Sequence, residues 1–260
     1  MAGMDVIDHG RVLGETPDIR RLREQSDEVE RLVVDLAASD ARGSDEVRPL
    51  VVLKALVGEL RRLEPTATRV SRVLQPDYAY DPEDPGVELA RRAQARGVEQ
   101  RLVTSPQSLR THPLMTSIFP RTLTGPVFLR AMVIDETAAV IGGRPDAFGN
   151  RVAWSTRSPQ VIAAVLEVWQ ETLPHCRQAL APGEDPPLTP RQLDVARLLC
   201  TGEKDKSIAR LLDLSARTVE REVSAILRAL AATSRTEAVL LMRGRGVNGG
   251  WPETVDPVGP

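Results

Sequence analysis

Apolar residues recur every three or four positions in several stretches of the chain, which predicts a helix in each of them. The clearest run is near the N-terminus, where a narrow apolar seam lies among charged residues. The seam consists of Ile19, Leu22, Val29, Val33 and Leu36. A narrow seam favours helix-on-helix packing, between subunits or within a hairpin; the alternative is a helix lying on the core of its own domain. We adopt the first interpretation and predict that these residues form a dimer contact.

The middle of the chain mixes helical and alternating patterns. A second helix is predicted over residues 50–63, and it completes an N-terminal helical segment spanning residues 1–65. Further helices are predicted at residues 87–96 and 159–176, and strands at residues 69–74, 98–104, 127–134, 138–141 and 151–155. A helix that ends in glycine and leads into a strand is typical of an α/β unit. Residues 66–180 are therefore predicted to form a small α/β domain.

Four short helical patterns follow in residues 188–246. Thr189, Pro190 and Gln192 form a capping-box signature for the first, Ser215 is a natural N-cap for the third, and Ser234 with Glu237 predicts a second capping box. The proline-rich residues 181–187 predict a stiff linker before this segment. Residues 247–260 predict a disordered tail.

The third of these helices has two chemically different sides. At 100° per residue, Val219, Val223, Ile226 and Leu230 lie on one stripe, and Arg217, Arg221, Ser224 and Arg228 lie on the opposite one. A helix-turn-helix offers its recognition helix to the major groove in this way, and the arginine fork can bond guanine or clamp a phosphate. The alternative is an ordinary solvated helix face.

Four motifs in this segment match a known pattern. They are Leu188-Thr189-Pro190-Arg191, the step from Gly202 through Lys206 to Ile208-Ala209, the turn Arg217-Thr218-Val219, and Ser234-Arg235-Thr236-Glu237-Ala238. Together they resemble the C-terminal DNA-binding domain of LuxR/FixJ-type (GerE-like) transcription regulators. The resemblance implies that Lys206, Arg217 and Thr218 hold the DNA backbone, and that Glu220, Arg221 and Ser224 face bases. Arg228 joins this DNA-binding set because it lies on the same stripe.

Two positions depart from the family pattern. The family usually has lysine where Glu220 stands and histidine where Glu222 stands. A carboxylate that faces DNA is repelled by phosphates unless it accepts a hydrogen bond from a cytosine amine. The chain therefore either reads an unusual operator or obtains part of its DNA affinity elsewhere.

The middle region resembles the phospholipase-D-like domains of some actinobacterial regulators related to the TrmB type. The likeness lies in Arg96-Gly97-Val98, Val133-Ile134-Asp135 and Arg157-Ser158-Pro159. The resemblance implies a sensor of a ligand or protein. An enzyme of that type needs a histidine with a lysine two positions on, and none of the three histidines has one. With no Ser/His/Asp elbow, paired metal ligands or Walker motif, we predict no enzymatic activity, no catalytic residue, no metal and no cofactor.

Charge and composition add to this interpretation. Residues 188–246 hold eleven Lys/Arg against seven Asp/Glu, whereas residues 1–187 hold 23 against 27. The basic excess therefore lies on the segment expected to bind DNA. Arginine outnumbers lysine 31 to 3, which indicates a GC-rich bacterial genome. The start is polar, and no apolar run approaches ~18 residues, so a cytoplasmic location without a membrane partner is expected.

The combined prediction is an α+β multidomain protein: N-terminal helices and an α/β sensor-like domain joined to a four-helix, helix-turn-helix DNA-binding domain. Its predicted function is a sequence-specific, homodimeric transcription regulator of double-stranded DNA. RNA polymerase and an unidentified small-molecule or protein effector are further candidate partners. The alternative is a degenerate family member that binds another regulator or RNA polymerase and contacts DNA weakly.

Overall fold

The computed structural model describes residues 16–39, 47–51, 53–143 and 152–244. Its helices are α1 (Pro17–Ser39), α2 (Leu53–Leu63), α3 (Pro85–Ala95), α4 (Pro106–Thr111), α5 (Met115–Ile118), α6 (Pro159–Thr172), α7 (Pro190–Cys200), α8 (Asp205–Leu211), α9 (Ala216–Ala229) and α10 (Arg235–Met242). Its strands are β1 (Val47–Leu50), β2 (Val70–Gln75), β3 (Glu99–Thr104), β4 (Leu123–Thr124), β5 (Arg130–Ile134), β6 (Ala138–Gly142), β7 (Ala153–Thr156) and β8 (Arg177–Gln178). The α+β fold class is confirmed, while the predicted tail at residues 247–260 lies outside the described residues.

The strands form an eight-stranded mixed sheet in the order β1-β7-β6-β5-β2-β3-β4-β8. Strand β3 runs parallel to β2 and β4, and the other neighbours are antiparallel. The sequence predicted the longer strands, but not β1, β4 or β8. Two residues are too few for an alternating pattern to be visible, so β4 and β8 could not be recognised.

Helices α1 and α6 cover one face of the sheet. Leu22, Val29 and Val33 of α1 are buried in the same apolar core as Val165 and Trp169 of α6. Leu36 packs against this core and Ile19 is half-buried. The central residues of the seam are therefore buried against the chain's own helix and strands, and the dimer contact predicted there stays a prediction. The periodic pattern could not distinguish a second subunit from the chain's own α6 and sheet, because packing against either requires the same apolar spacing.

Strand β1 and helix α2, which precede the predicted boundary at residue 65, both pack with the sheet that follows it. Strand β1 pairs with β7 at the edge, where Pro49 is tolerated since an edge strand need not donate every hydrogen bond. The buried Glu59 carboxylate on α2 accepts hydrogen bonds from Ser155 of β7 and Arg48 of β1. Bonding to Arg62 is the largest influence on this carboxyl and outweighs burial, holding the pKa of Glu59 at about 2. These bonds fasten α2 to the sheet.

The turn between β5 and β6 is tied to the start of β2 by one carboxylate. Asp135 and Glu136 have φ of 49° and 61°, the left-handed values of the tight turns found in hairpins, and the Thr137 N–H donates to the Ile134 carbonyl at 2.9 Å. The buried Asp135 carboxylate accepts hydrogen bonds from the backbone N–H groups of Thr68, Arg69 (2.9 Å) and Val70 (2.7 Å). Burial raises the pKa of this carboxyl, but hydrogen bonds from Val70, Thr68 and Arg69 outweigh it and hold the pKa at about 2.

Asp135→Asn is expected to destabilise the domain by about 2 kcal/mol at neutral pH, because the amide replaces an accepting oxygen with a donor opposite backbone N–H groups. The folded pKa lies below the unfolded value of about 3.9, so the carboxylate stabilises the fold above that pH. This contribution is lost as the pH falls from about 4 towards 2. Urea unfolding of both proteins at several pH values measures the difference, which should shrink on acidification. A pH-independent difference would contradict the assignment.

Helices α7–α10 form a second apolar core that also contacts the α/β domain. Leu193, Val195, Ile208, Val219 and Ile226 are buried at its centre. Tyr80 and Leu114 from the α/β domain belong to the same cluster. The segment predicted as a linker leads into this contact, since the Leu188 N–H donates to Ser117 Oγ at 2.9 Å. None of the helices in the described ranges is both long and apolar enough to span a membrane.

Candidate nucleic-acid interface

Helix α9 is fixed by its cap and by its apolar face. Ser215 Oγ accepts a hydrogen bond from the Thr218 N–H at 3.1 Å, as expected for an N-cap. Val219 and Ile226 are fully buried, while Val223 and Leu230 pack half-buried against the same core. The predicted inner stripe is therefore confirmed. Asp213, at φ 52°, makes the turn that brings α8 into α9.

The opposite side of α9 faces solvent. Its exposed residues are Arg217, Glu220, Arg221, Ser224 and Arg228. Lys206 is exposed on the neighbouring helix α8, and Thr218 is half-buried with its hydroxyl 2.9 Å from that of Ser215. Within the described residues, the fold thus brings the predicted α9 residues onto one exposed surface.

Ser224 has a defined hydrogen-bonding character on this surface. Its hydroxyl donates to the Glu220 carbonyl one turn earlier, at 2.8 Å. Because its hydrogen is used within the helix, the oxygen that remains towards solvent is an acceptor. Ser224 is therefore suited to meet an amino group, such as that of adenine or cytosine, on a base edge.

Glu222 does not face outward with Glu220. It is buried, and it accepts hydrogen bonds from Gln192 Nε2 at 3.2 Å and Arg221 Nη2 at 3.1 Å. The other end of the Gln192 amide accepts from the Thr189 N–H at 2.9 Å, completing the predicted capping box of α7. Glu222 therefore joins α9 to the start of α7 and holds one edge of the Arg221 guanidinium.

From the sequence, Glu220 and Glu222 were both considered as carboxylates that could face DNA. The structure corrects this for Glu222, which is buried. At 100° per residue it lies about 140° round the helix from Arg217, close to the buried stripe. That angle could have indicated from the sequence that Glu222 lies on the inner side of α9. The partnership with Gln192 could not be anticipated, because it joins residues thirty positions apart in sequence.

The N-terminus of α10 is held against that of α8. The Arg235 guanidinium bonds the Asp205 carboxylate and the Glu203 carbonyl. The Ser234 hydroxyl caps α10 as predicted, but Glu237 accepts from the Thr233 N–H at 2.7 Å and does not complete a box on Ser234. Arg235 therefore ties the start of α10 to the start of α8, the helix that carries Lys206.

One of the histidines, His112, is enclosed by aromatic side chains. His112 is fully buried between Tyr78 and Tyr80, and burial lowers its pKa to about 4. Within the described ranges, no cluster of three or more His, Cys, Asp or Glu side chains could hold a metal ion.

Comparison with known families identifies the C-terminal domain. Residues 186–242 match the family described as "GerE: Bacterial regulatory proteins, luxR family". This part of the chain is therefore a LuxR-family helix-turn-helix domain, as its motifs predict. No curated protein has a sequence that matches the chain significantly.

Several solved structures are distantly similar. NucT from Helicobacter pylori shares 11% identity at a TM-score of 0.44, covering 51% of this chain and 98% of its own. TrmBL2, an archaeal chromatin protein, shares 15% identity at a TM-score of 0.42, covering 62% and 66%. The LuxR-type VqmA of Vibrio cholerae shares 23% identity at a TM-score of 0.22, covering 45% and 48%. Likenesses this distant assign neither fold nor function to the α/β domain.

Proposed function

We propose that this chain, whose residues 186–242 form a LuxR-family domain, is a sequence-specific transcription regulator that reads DNA with the outer side of α9. The observation that carries the proposal is the exposed row of Arg217, Arg221 and Arg228 opposite a fully buried apolar stripe. DNA is the partner that such a domain binds, and arginine supplies both phosphate clamping and guanine recognition.

The side chains divide into two roles in this proposal. Lys206, Arg217 and Thr218 hold phosphates and set the register of the helix on the duplex. Arg221 and Ser224 contact base edges, Arg221 as a donor and Ser224 as an acceptor. Glu222 holds one Arg221 nitrogen, which limits the rotamers of that side chain before DNA binds.

Glu220 is the remaining acidic residue on this surface. We propose that it accepts from a cytosine amine, since elsewhere in the groove it would be repelled by phosphates. The alternative function, a protein-interaction module with weak DNA binding, drew on both Glu220 and Glu222. With Glu222 buried and bonded to Gln192, only Glu220 still supports that alternative.

We further propose that the α/β domain is a non-enzymatic sensing module and that the protein acts as a homodimer. One recognition helix covers few base pairs, and helix-turn-helix proteins usually pair two of them on matching half-sites. The seam on α1 is buried, so α10, which pairs DNA-binding domains in the resembling family, is the better candidate surface. Leu240 on α10 supports this choice, since 43% of it is exposed.

Single substitutions on α9 and α8 test the division of roles. Arg221→Ala is expected to lower affinity for the cognate site by roughly 1–3 kcal/mol and to relax the preference at one base pair. Lys206→Ala, the control, should weaken binding about equally on cognate and random DNA. Selection of bound fragments from random DNA, followed by titrations, measures both effects. Equal losses on both kinds of DNA for Arg221→Ala would contradict its role as a base reader.

A further inference from the structure

The α/β domain contains a cavity of about 800 Å³ between the sheet and helices α2 and α3. Ligand sites in proteins commonly have volumes of about 300–1,000 Å³. The walls are mainly aliphatic side chains from three elements: Leu56 and Leu60 of α2, Leu89 and Ala90 of α3, and Val73 and Met132 of the sheet. Such a lining favours an apolar molecule, because burial of apolar surface on both partners drives binding.

One end of the cavity is polar, but its charges already have partners. Arg130 pairs with the Asp77 carboxylate and donates to the Asp77 carbonyl at 3.1 Å. The Tyr78 hydroxyl donates to Asp84 at 2.8 Å. An anionic ligand group would be repelled by the Asp84 carboxylate, which keeps its charge, and Arg130 is already paired with Asp77. An uncharged hydroxyl, carbonyl or amide costs less to bury once it is hydrogen-bonded, and Gln75, which also lines the cavity, can form such a bond.

The polar end is connected to the DNA-binding domain. The Tyr78 N–H donates to Ser108 Oγ at 3.1 Å, and the Tyr78 carbonyl accepts from the Thr111 hydroxyl at 3.0 Å. Two residues further on, Tyr80 is buried in the core formed by α7–α10. The His112 ring contacts the Tyr78 ring at 5.1 Å and the Tyr80 ring at 5.2 Å between centroids. A displacement of Tyr78 in the cavity wall would therefore be passed to Tyr80, two residues along the chain, which packs against the DNA-binding domain.

We propose that this cavity binds an uncharged, mostly apolar small molecule carrying one or two hydrogen-bonding groups, and that its occupancy alters the contact of Tyr80 with the DNA-binding domain. The binding site follows from the cavity alone. Its role as the effector site of a regulator rests on the proposed function.

A fluorescent probe of the stated chemistry tests the site in the full chain. Prodan, an uncharged naphthalene ketone, is expected to bind saturably in a one-to-one ratio with blue-shifted emission. Anilinonaphthalene sulfonate, an anionic probe of similar size, should bind more weakly. Ala90→Phe fills the cavity from α3 and should weaken prodan binding about tenfold or more. Ala95→Phe adds the same ring to an exposed position of the same helix and should leave binding unchanged.

Circular dichroism establishes which variants fold, and Val73→Phe fills the cavity from the sheet if Ala90→Phe does not fold. Absence of saturable prodan binding would overturn the proposal. Equal binding by wild type and a folded filled variant, or preference for the anionic probe, would also overturn it.

Gel shifts on the same samples separate the two proposals. If the chain binds DNA but not prodan, the cavity is not a binding site for such a ligand, and the proposed function stands. If the chain binds prodan but not DNA, the proposed function is rejected, and the cavity remains a ligand-binding site. Prodan binding with DNA affinity unchanged by the probe overturns the regulatory half of the inference.

Discussion

Val33→Asp is expected to unfold the α/β domain. Val33 is 0% exposed and lies in the core between α1, α6 and the sheet. An unpaired carboxylate at such a site costs several kcal/mol, on the order of the whole stability of many domains. Urea unfolding followed by circular dichroism should therefore detect loss of the cooperative transition of this domain.

The next residue on the helix provides a matched control. Val34 is 46% exposed, so Val34→Asp should change the free energy of unfolding by no more than about 0.5 kcal/mol. Its sedimentation coefficient should equal that of the wild type, because the proposed dimer contact lies on α10. If Val33→Asp instead yields a stable folded monomer from a dimeric wild type, the α1 seam is a subunit interface after all. If the wild type is a dimer and only the Val34→Asp variant becomes a monomer, the dimer contact lies on the outer side of α1.

Removing the three arginines of α9 together is expected to abolish useful DNA binding. Arg217, Arg221 and Arg228 are exposed, and Glu222 keeps its hydrogen bond from Gln192 when Arg221 is removed, so their combined replacement by alanine should leave the apolar core of the domain packed. Each loss removes a phosphate or base contact, and the combined affinity should fall on the order of a hundredfold or more at physiological salt. Fluorescence anisotropy with labelled cognate DNA measures this loss.

The matched control removes the same charge from the other domain. Arg20, Arg31 and Arg61 are exposed on α1 and α2, and their combined replacement by alanine lowers the net charge equally. The control should lose little affinity, since long-range attraction is largely screened beyond about 10 Å. A comparable loss in both triple variants would indicate that DNA responds to overall charge and not to α9.

The LuxR-family domain could be predicted closely because its signals are local. Thr189, Ser215 and Ser234 cap helices within three residues of themselves, and the two stripes of α9 follow from its own periodicity. The exception in this domain is Glu222, whose partner Gln192 lies on another helix.

The α/β domain was harder to predict because its stabilising contacts join distant residues. Glu59 bonds Ser155 across 96 positions, and Asp135 bonds the backbone of Val70 across 65. The apolar spacing of α1 shows that it must be covered, but α6, which covers it, begins 120 residues after α1 ends. Nothing within α1 distinguishes that partner from a second subunit. The cavity beside α2 and α3 likewise arises from three elements that only the fold brings together.

The salt dependence of DNA binding tests most directly whether α9 is the DNA-reading surface. The logarithm of the association constant falls linearly with the logarithm of salt concentration, with a slope of about −0.9 per neutralised phosphate. For the α9 triple variant, the slope should be shallower than for the wild type by about 1 to 2, because Arg221 contacts bases and not phosphates, while the Arg20, Arg31 and Arg61 control keeps the wild-type slope. An unchanged slope for the α9 variant, with the loss appearing in the control, would contradict DNA reading by α9.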